Sequence, residues 1–320
     1  MRTAYIILAG AIALTTTSCR SFRRAEVVNE TYIHKYGTPV QKEDWTRNGK
    51  DGQVVQLKSD GVTVRRTYSQ GVLQGDTTYS FPNSSTIARV EHFENGEIVS
   101  KRDNYFSGVG REEERFEGAV ISERLCWYED GTPSVAEKYE NGFIVSGEYR
   151  TPLNEVESKV VEGKGIRINR GSDGELVYKD TIEGGQMIER VAYFPSGDPS
   201  SVTPYKNGLV HGTRLTFLHG GLPNTVEEWT HGQQEGTTIV YLNGEKIAEV
   251  PYVKGKKDGV ETRYKDGQML VEEVTWRQDI QHGPRKIFLD ENNTKTEWFL
   301  EGEVVSRVTF ERMNTDRSIR

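Results

Sequence analysis

The chain has 320 residues, a net charge of −7 and a mean hydropathy of −0.66. Counted with glycine, its apolar content is on the order of 40 %, below the roughly 45–50 % of globular chains. Yet 10 % of the residues are aromatic and only 10 are proline, so the composition describes an ordered protein with a thin core rather than a disordered one. Its 41 basic and 48 acidic residues are evenly mixed, which excludes an electrostatic footprint for nucleic acid, and two cysteines exclude a disulfide-dense scaffold or a four-cysteine zinc site.

In chain order, the first segment differs from everything that follows. Arg2 is its only charge, Ala4 to Leu14 is an unbroken apolar run, and Thr15-Thr16-Thr17-Ser18 leads to Cys19. An apolar run of this length fits a secretory signal, about 7–15 residues, and falls short of the about 20 needed to span a membrane. The ending Thr16-Thr17-Ser18-Cys19 resembles a bacterial lipobox, which implies that residues 1–18 are a signal peptide and that Cys19 carries the lipid. Residues 19–44 are expected to be a lipidated tether, residues 45–312 a repeat array and residues 313–320 a frayed tail. Cys126, beside Trp127 and Tyr128, is expected to be a half-buried apolar residue rather than a reactive thiol.

The array announces itself by self-similarity. Tyr205-Lys-Asn-Gly-Leu-Val-His-Gly212, Trp229-Thr-His-Gly-Gln-Gln-Glu-Gly236, Tyr252-Val-Lys-Gly-Lys-Lys-Asp-Gly259 and Trp276-Arg-Gln-Asp-Ile-Gln-His-Gly283 follow one another, with Trp298 placed as the next aromatic. The first-turn marks Gly208, Gly232, Gly255, Asp279 and Gly302 continue backwards through Gly184, Gly163, Gly142, Gly118, Gly96, Gly71 and Gly49, at steps of 21 to 25 residues. Among the earlier units only Gly75 keeps a second glycine four places on. Each unit also carries a second turn half a period later, such as Asn243-Gly244 and Asp266-Gly267. Turns of this type between alternating runs are a strong hairpin signal. Val260, Thr262 and Tyr264 alternate with Glu261, Arg263 and Lys265, the period-two pattern of a half-buried strand.

The fold expected is all-β: an elongated, twisted antiparallel meander of hairpin repeats of about 23 residues, largely single-layered and almost without helix. The pattern Tyr-x-Asn-Gly-x-x-x-Gly-x-x-x-x-[Tyr/Phe], read off residues 205–221 and 252–267, resembles MORN repeats, closest to the bacterial variants that include antitoxin-like members. That resemblance implies hairpin arrays used as interaction or membrane-proximal scaffolds, with glycines Gly208, Gly212, Gly232, Gly236, Gly255, Gly259, Gly267 and Gly283 shaping turns. The second glycines Gly212, Gly259 and Gly283 are expected at positive φ or beneath an aromatic of the next strand.

No motif for catalysis, metal or cofactor emerges. His211 and His282 precede second glycines and His231 precedes a first one, so their spacing is that of the repeat, a turn position tolerant of polar residues. Acidic runs such as Glu112-Glu113-Glu114, Glu227-Glu228 and Glu272-Glu273 alternate between faces along a strand and are expected to be solvated. Gly163-Lys164-Gly165 lacks the helix a phosphate loop requires. A convergent set of titratable side chains on one sheet face would point to an enzyme instead. What remains is the aromatic stripe Tyr205, Trp229, Tyr252, Trp276 and Trp298, as core or as binding surface. The function expected is a non-enzymatic, lipid-anchored envelope protein, in the outer membrane facing the periplasm, that binds an unidentified protein partner. Its rivals are a cell-wall or glycan-binding module, since Cys126-Trp-Tyr-Glu-Asp-Gly131 resembles cell-wall-binding repeats, and an antitoxin-like neutraliser of a partner protein.

Overall fold

The computed structural model describes residues 25–171, 173–290 and 293–317. The protein is an all-β antiparallel meander in which the long strands follow one another in chain order, each hydrogen-bonded to the long strand before it where a pairing is described. The chain divides into two units, one ending at Ile98 and the other beginning at Val99.

In the first unit, the strand Val27–His34 pairs with Gly52–Lys58, placing Tyr32 opposite Val54, and Thr63–Ser69, Val72–Ser80 and Ile87–Glu94 follow. The tether expected over residues 19–44 is therefore corrected from Val27 onward. Val-Val-Asn-Glu-Thr-Tyr-Ile-His lacks the glycine turn marks of the repeat but is rich in strand formers. Between these strands a helix, α1 (Lys42–Arg47), lays Trp45 over the array's first rings. Trp45 is 4 % exposed, with its ring 5.8 Å from that of Tyr32 and 6.2 Å, edge-on, from that of Tyr68. A terminal repeat has no neighbour to cover its apolar face, and α1 supplies the cover.

In the second unit the repeat geometry is plainest between residues 199 and 305. Asn207 and Gly208 both have positive φ, 51° and 77°, the two-residue turn whose twist matches a hairpin. Beyond the turn Tyr205 faces Val210, but further in Val202 faces Leu215, so the returning strand carries two extra residues. The second glycine, Gly212 at φ 107°, sits in that bulge. The same offset separates Trp229↔Gln234 from Val226↔Ile239, Tyr252↔Lys257 from Glu249↔Thr262, and Trp276↔Gln281 from Val274↔Arg285. In the first unit it recurs at Tyr68↔Leu73 and Arg66↔Thr77, where Gly75 is the bulge glycine. Units without a second glycine carry one extra residue: Tyr139 faces Ile144 while Lys138 faces Ser146, and Ile182 faces Met187 while Thr181 faces Glu189. The second glycine thus marks the wider bulge.

Each bulge glycine is matched across the sheet by an aromatic: Gly75 by Phe93, Gly212 by Trp229, Gly236 by Tyr252, Gly259 by Trp276 and Gly283 by Phe299. Trp298 lies opposite Pro284 instead, so alternation puts it on the other face, and the stripe residue of that unit is Phe299. Phe299 is the one three places before its turn glycine, as Tyr205, Trp229 and Tyr252 are in theirs. Trp298 meets the second helix, α2 (Arg307–Arg317), where Phe310 lies 5.1 Å from it and 5.5 Å from His282. The frayed tail expected from residue 313 is corrected accordingly: the helix runs on to Arg317.

Between residues 133 and 187 the meander coils tightly. The strand Val156–Val161 meets Lys164–Arg170 at only two register pairs, Val160↔Gly165 and Val161↔Lys164. Three turn ends hydrogen-bond to one another, Gly163 N–H to Val145, Gly185 N–H to Gly163 and Ile144 N–H to Gly185, at 3.0, 2.9 and 3.2 Å. A Cβ at Gly163 would stand 2.8 Å from the Gly185 nitrogen, so bare backbone is what lets the turns meet. Inside the coil Val135, Ile144, Tyr149, Val160, Ile168 and Ile182 form the main apolar cluster.

Candidate functional site

The feature not anticipated from the sequence is a ladder of arginines and carboxylates along the sheet face that carries the aromatic stripe. Arg124, Arg190, Arg214 and Arg285 each lie six residues after a first-turn mark, at Gly118, Gly184, Gly208 and Asp279. That periodicity was the available signal. Each arginine sits on a strand returning from a first turn, so its guanidinium reaches carboxylates on the flanking strands.

In and beside the coiled segment two carboxylates of the ladder, Glu137 and Asp180, are buried. Arg124 Nε donates to Glu112 at 2.6 Å, and its Nη1 lies 3.5 Å from Glu137. Glu137 has no exposed side-chain surface and accepts from the hydroxyls of Tyr139 at 2.5 Å and Tyr149 at 2.8 Å. Asp180, equally enclosed, takes paired N–H donors from Arg167 (2.9 and 2.7 Å) and from Arg190 (2.7 and 2.9 Å). The Arg190 guanidinium also stacks 3.8 Å above the Tyr178 ring. Burial, with Glu137 beside them, pushes the Tyr139 and Tyr149 hydroxyls well above their ordinary range.

Between residues 199 and 305 the ladder continues on a sheet one layer deep, each strand packing on its chain neighbours. Arg214 donates to Glu227 at 3.1 Å, and Glu227 also accepts from the Trp229 indole N–H at 2.9 Å. Arg263 bridges Glu261 (2.6 Å) and Glu272 (2.8 Å), and Arg285 bridges Glu272 (2.6 Å) and Glu297 (3.4 Å). Trp276 Nε1 donates to Glu261 at 2.8 Å, while Lys257 Nζ stands 4.8 Å over its ring. Tyr205, Trp229, Tyr252 and Trp276 are half-buried and share this face in register with the ladder. The acidic runs are corrected in part. Glu112, Glu227 and Glu272 belong to the ladder, whereas Glu228 and Glu273 face away, to Thr213 and Lys286.

The histidines also gain a definite role. His211 Nδ1 accepts the His231 backbone N–H and His282 Nδ1 that of Glu301, both at 3.4 Å. Gln74 and Glu235, also just before second glycines, accept from Asn95 at 2.9 Å and Lys254 at 2.8 Å. The position demands an acceptor for the next unit's turn rather than tolerating any polar residue. The predicted turn glycines all have positive φ, from 73° at Gly267 to 122° at Gly283. Cys19 lies outside the described residues.

Cys126 lines a cavity of about 490 Å³ beside the coiled segment. Burial raises its thiol to about 12, so at neutral pH it is the protonated thiol, not the thiolate. Glu137 and Asp180, which do not line the cavity, tie adjoining strands together, Glu137 through two tyrosine hydroxyls and Asp180 through two arginines. Among the described residues, no group of three or more His, Cys, Asp or Glu is placed to hold a metal ion, and no helix is long and apolar enough to cross a membrane.

No family model matches the chain, and no curated protein does. Among solved structures, a GtfA/B complex bound to UDP and GlcNAc is similar at 16 % identity over 48 % of this chain, with a TM-score of 0.17. The TcdB2-TccC3-Cdc42 structure is similar at 10 % identity over 82 % of this chain, with a TM-score of 0.15. The chain matches only 26 % and 20 % of the length of those chains. Likeness at this level carries no function across.

Proposed function

We propose that the protein is a non-enzymatic β-repeat scaffold, of the MORN-variant kind its repeat resembles, that binds another protein from the bacterial envelope. Export by residues 1–18 and a lipid on Cys19 would hold it at the outer membrane facing the periplasm. The observation that supports binding is the half-buried stripe of Tyr205, Trp229, Tyr252 and Trp276 on a sheet one layer deep. Spaced rings with polar tips, fixed by Glu227 and Glu261, are the anchors that protein interfaces favour.

Two measurements test the reading. Cys19→Ser should release soluble protein and abolish fatty-acid labelling, because stable anchoring takes two or more acyl chains at about 0.8 kcal/mol per buried CH₂. Labelling that persists in the variant would rule out a lipid on Cys19. Affinity purification of the membrane-extracted protein should recover a protein partner that Tyr252→Ala loses while its circular dichroism is unchanged. Retention by isolated cell wall, with no protein partner, would contradict it.

A further inference from the structure

Register sets the spacing of the aromatic stripe. Thr203, Glu227, Val250 and Val274 share one cross-strand row, and each lies two residues before a ring, so Tyr205, Trp229, Tyr252 and Trp276 stand at one level of the sheet. Successive rings are two strands apart, a repeat of roughly 9.6 Å along the array. On the returning strands between them, Gln234 is tied to Thr238 and Lys257 to Glu261, and only Val210 is apolar.

That repeat discriminates among the shapes a bound chain can take. A polyproline helix places every third residue on one face at about 9.3 Å, and stays within about 1 Å of the rings over three steps. An α-helix repeats a face every seven residues, about 10.5 Å, and drifts by about 3 Å over the same distance. A β-strand repeats every 6.6–6.8 Å or so and is out of phase by the second ring. A polyproline segment also has no internal hydrogen bonds to break as it curves with the sheet twist.

The polar groups beside the rings narrow the chemistry. Glu227 already accepts from Arg214, Thr225 and Trp229, and Glu261 from Lys257, Arg263 and Trp276. The ladder's charges are thus matched internally, and a charged ligand would have to break a pair to gain one. The Tyr205 and Tyr252 hydroxyls, by contrast, make no hydrogen bond among the described residues. The face therefore offers free donors while its carboxylates are taken. Proline is the complement: its backbone has a carbonyl to accept and no N–H to satisfy.

We infer that the stripe binds an uncharged proline-rich segment in the polyproline conformation, lying along the array with every third residue against a ring. Tyr205 and Tyr252 donate to its carbonyls, and its preformed shape lowers the ordering cost of binding. The inference rests on the reading of the stripe as a protein-binding surface and names the segment it takes.

The test is titration of the full-length protein in detergent, followed by tryptophan emission, with decaproline, a ten-residue Gly-Ser peptide and the helical peptide (Glu-Ala-Ala-Ala-Lys)₃. Ten prolines extend about 31 Å, enough for all four rings. Decaproline should bind with a dissociation constant of about 0.1 mM or tighter, and the other two at least about tenfold more weakly. Tyr252→Phe keeps the ring and should weaken decaproline about fivefold through the lost donor. Tyr252→Ala should abolish binding with unchanged circular dichroism; where it does not fold, Tyr252→Phe decides. Decaproline that does not bind, binding indifferent to Tyr252→Phe, or preference for the helical peptide would each overturn the inference. If a protein partner is nonetheless lost on Tyr252→Ala, the stripe remains a protein-binding surface and only the segment assigned to it is wrong. If partner recovery is also indifferent to Tyr252→Ala, both readings fail.

Discussion

At Gly259 two constraints meet. Its φ is +120°, and a Cβ there would stand 3.0 Å from Pro251 Cγ on the preceding strand. Gly255, in the same hairpin at φ +77°, has nothing within 4 Å of its missing Cβ. Gly259→Val should therefore cost a few kcal/mol and Gly255→Ala only about 1 kcal/mol, measured by denaturant melts of the purified protein. The ladder supplies a second contrast. Asp180→Asn leaves two half-buried guanidiniums facing a neutral amide at a fully enclosed position and should destabilise by about 2–3 kcal/mol. Glu297→Gln, with a quarter of its side-chain surface exposed, should change stability by about 1 kcal/mol or less. The glycines were legible in the sequence because a turn is a local event, written in consecutive residues. The ladder was less so. Arg124 and Glu137 lie thirteen positions apart and meet only through register, and the acids do not keep the arginines' fixed distance from the turn.

At the scale of an element, the hairpin unit is complete only with its turn pair, its bulge and the acceptor that ties it to the next turn. Removing residues 232–254 joins His231 to Gly255, which restores a turn pair like His231-Gly232, both at positive φ. That deletion should give a shorter folded protein with a cooperative melt and a proportionate strand signal in circular dichroism. Removing residues 232–243 instead reverses every later strand and should yield aggregate; a folded product would show the repeat phase to be wrong. The units themselves were readable from glycine, aromatic and Asn-Gly spacing. The two helices were not, because α1 has six residues and α2 covers the sheet chiefly through Phe310. One amphipathic contact leaves no period to read. The choice of Trp298 over Phe299 failed for a similar reason: two adjacent aromatics compete, and only register assigns their faces.

For the whole molecule, ion pairing and burial give stability a plateau in pH with two different edges. Arg170 donates to Glu157, and Lys159 and Arg150 to Glu148, so both carboxyls lie below their ordinary values. Such groups stabilise the fold above the unfolded value, about 4.3, and the contribution is lost as pH falls through the folded one. Cys126 acts in the opposite sense. Its thiol ionises at about 8.5 in the unfolded chain and at about 12 in the fold, so stability declines as pH rises above about 8.5. Thermal melts should be level between roughly pH 5.5 and 8.5, and Cys126→Ala should flatten the first part of the alkaline decline without moving the acid edge. An alkaline edge unchanged in that variant would assign it to the tyrosines instead.

Across these scales, each hairpin is stabilised by its immediate neighbours, through bulge, stripe and ladder. Native-state hydrogen exchange, read peptide by peptide in Gly259→Val against the unmodified protein, tests this most directly. Protection should be lost over the strands Glu245–Val253, Gly259–Lys265 and Met269–Arg277, with residues 133–187 unchanged. A uniform loss of protection across residues 99–317 would contradict it, since stability would then belong to the unit as a whole rather than to adjoining hairpins.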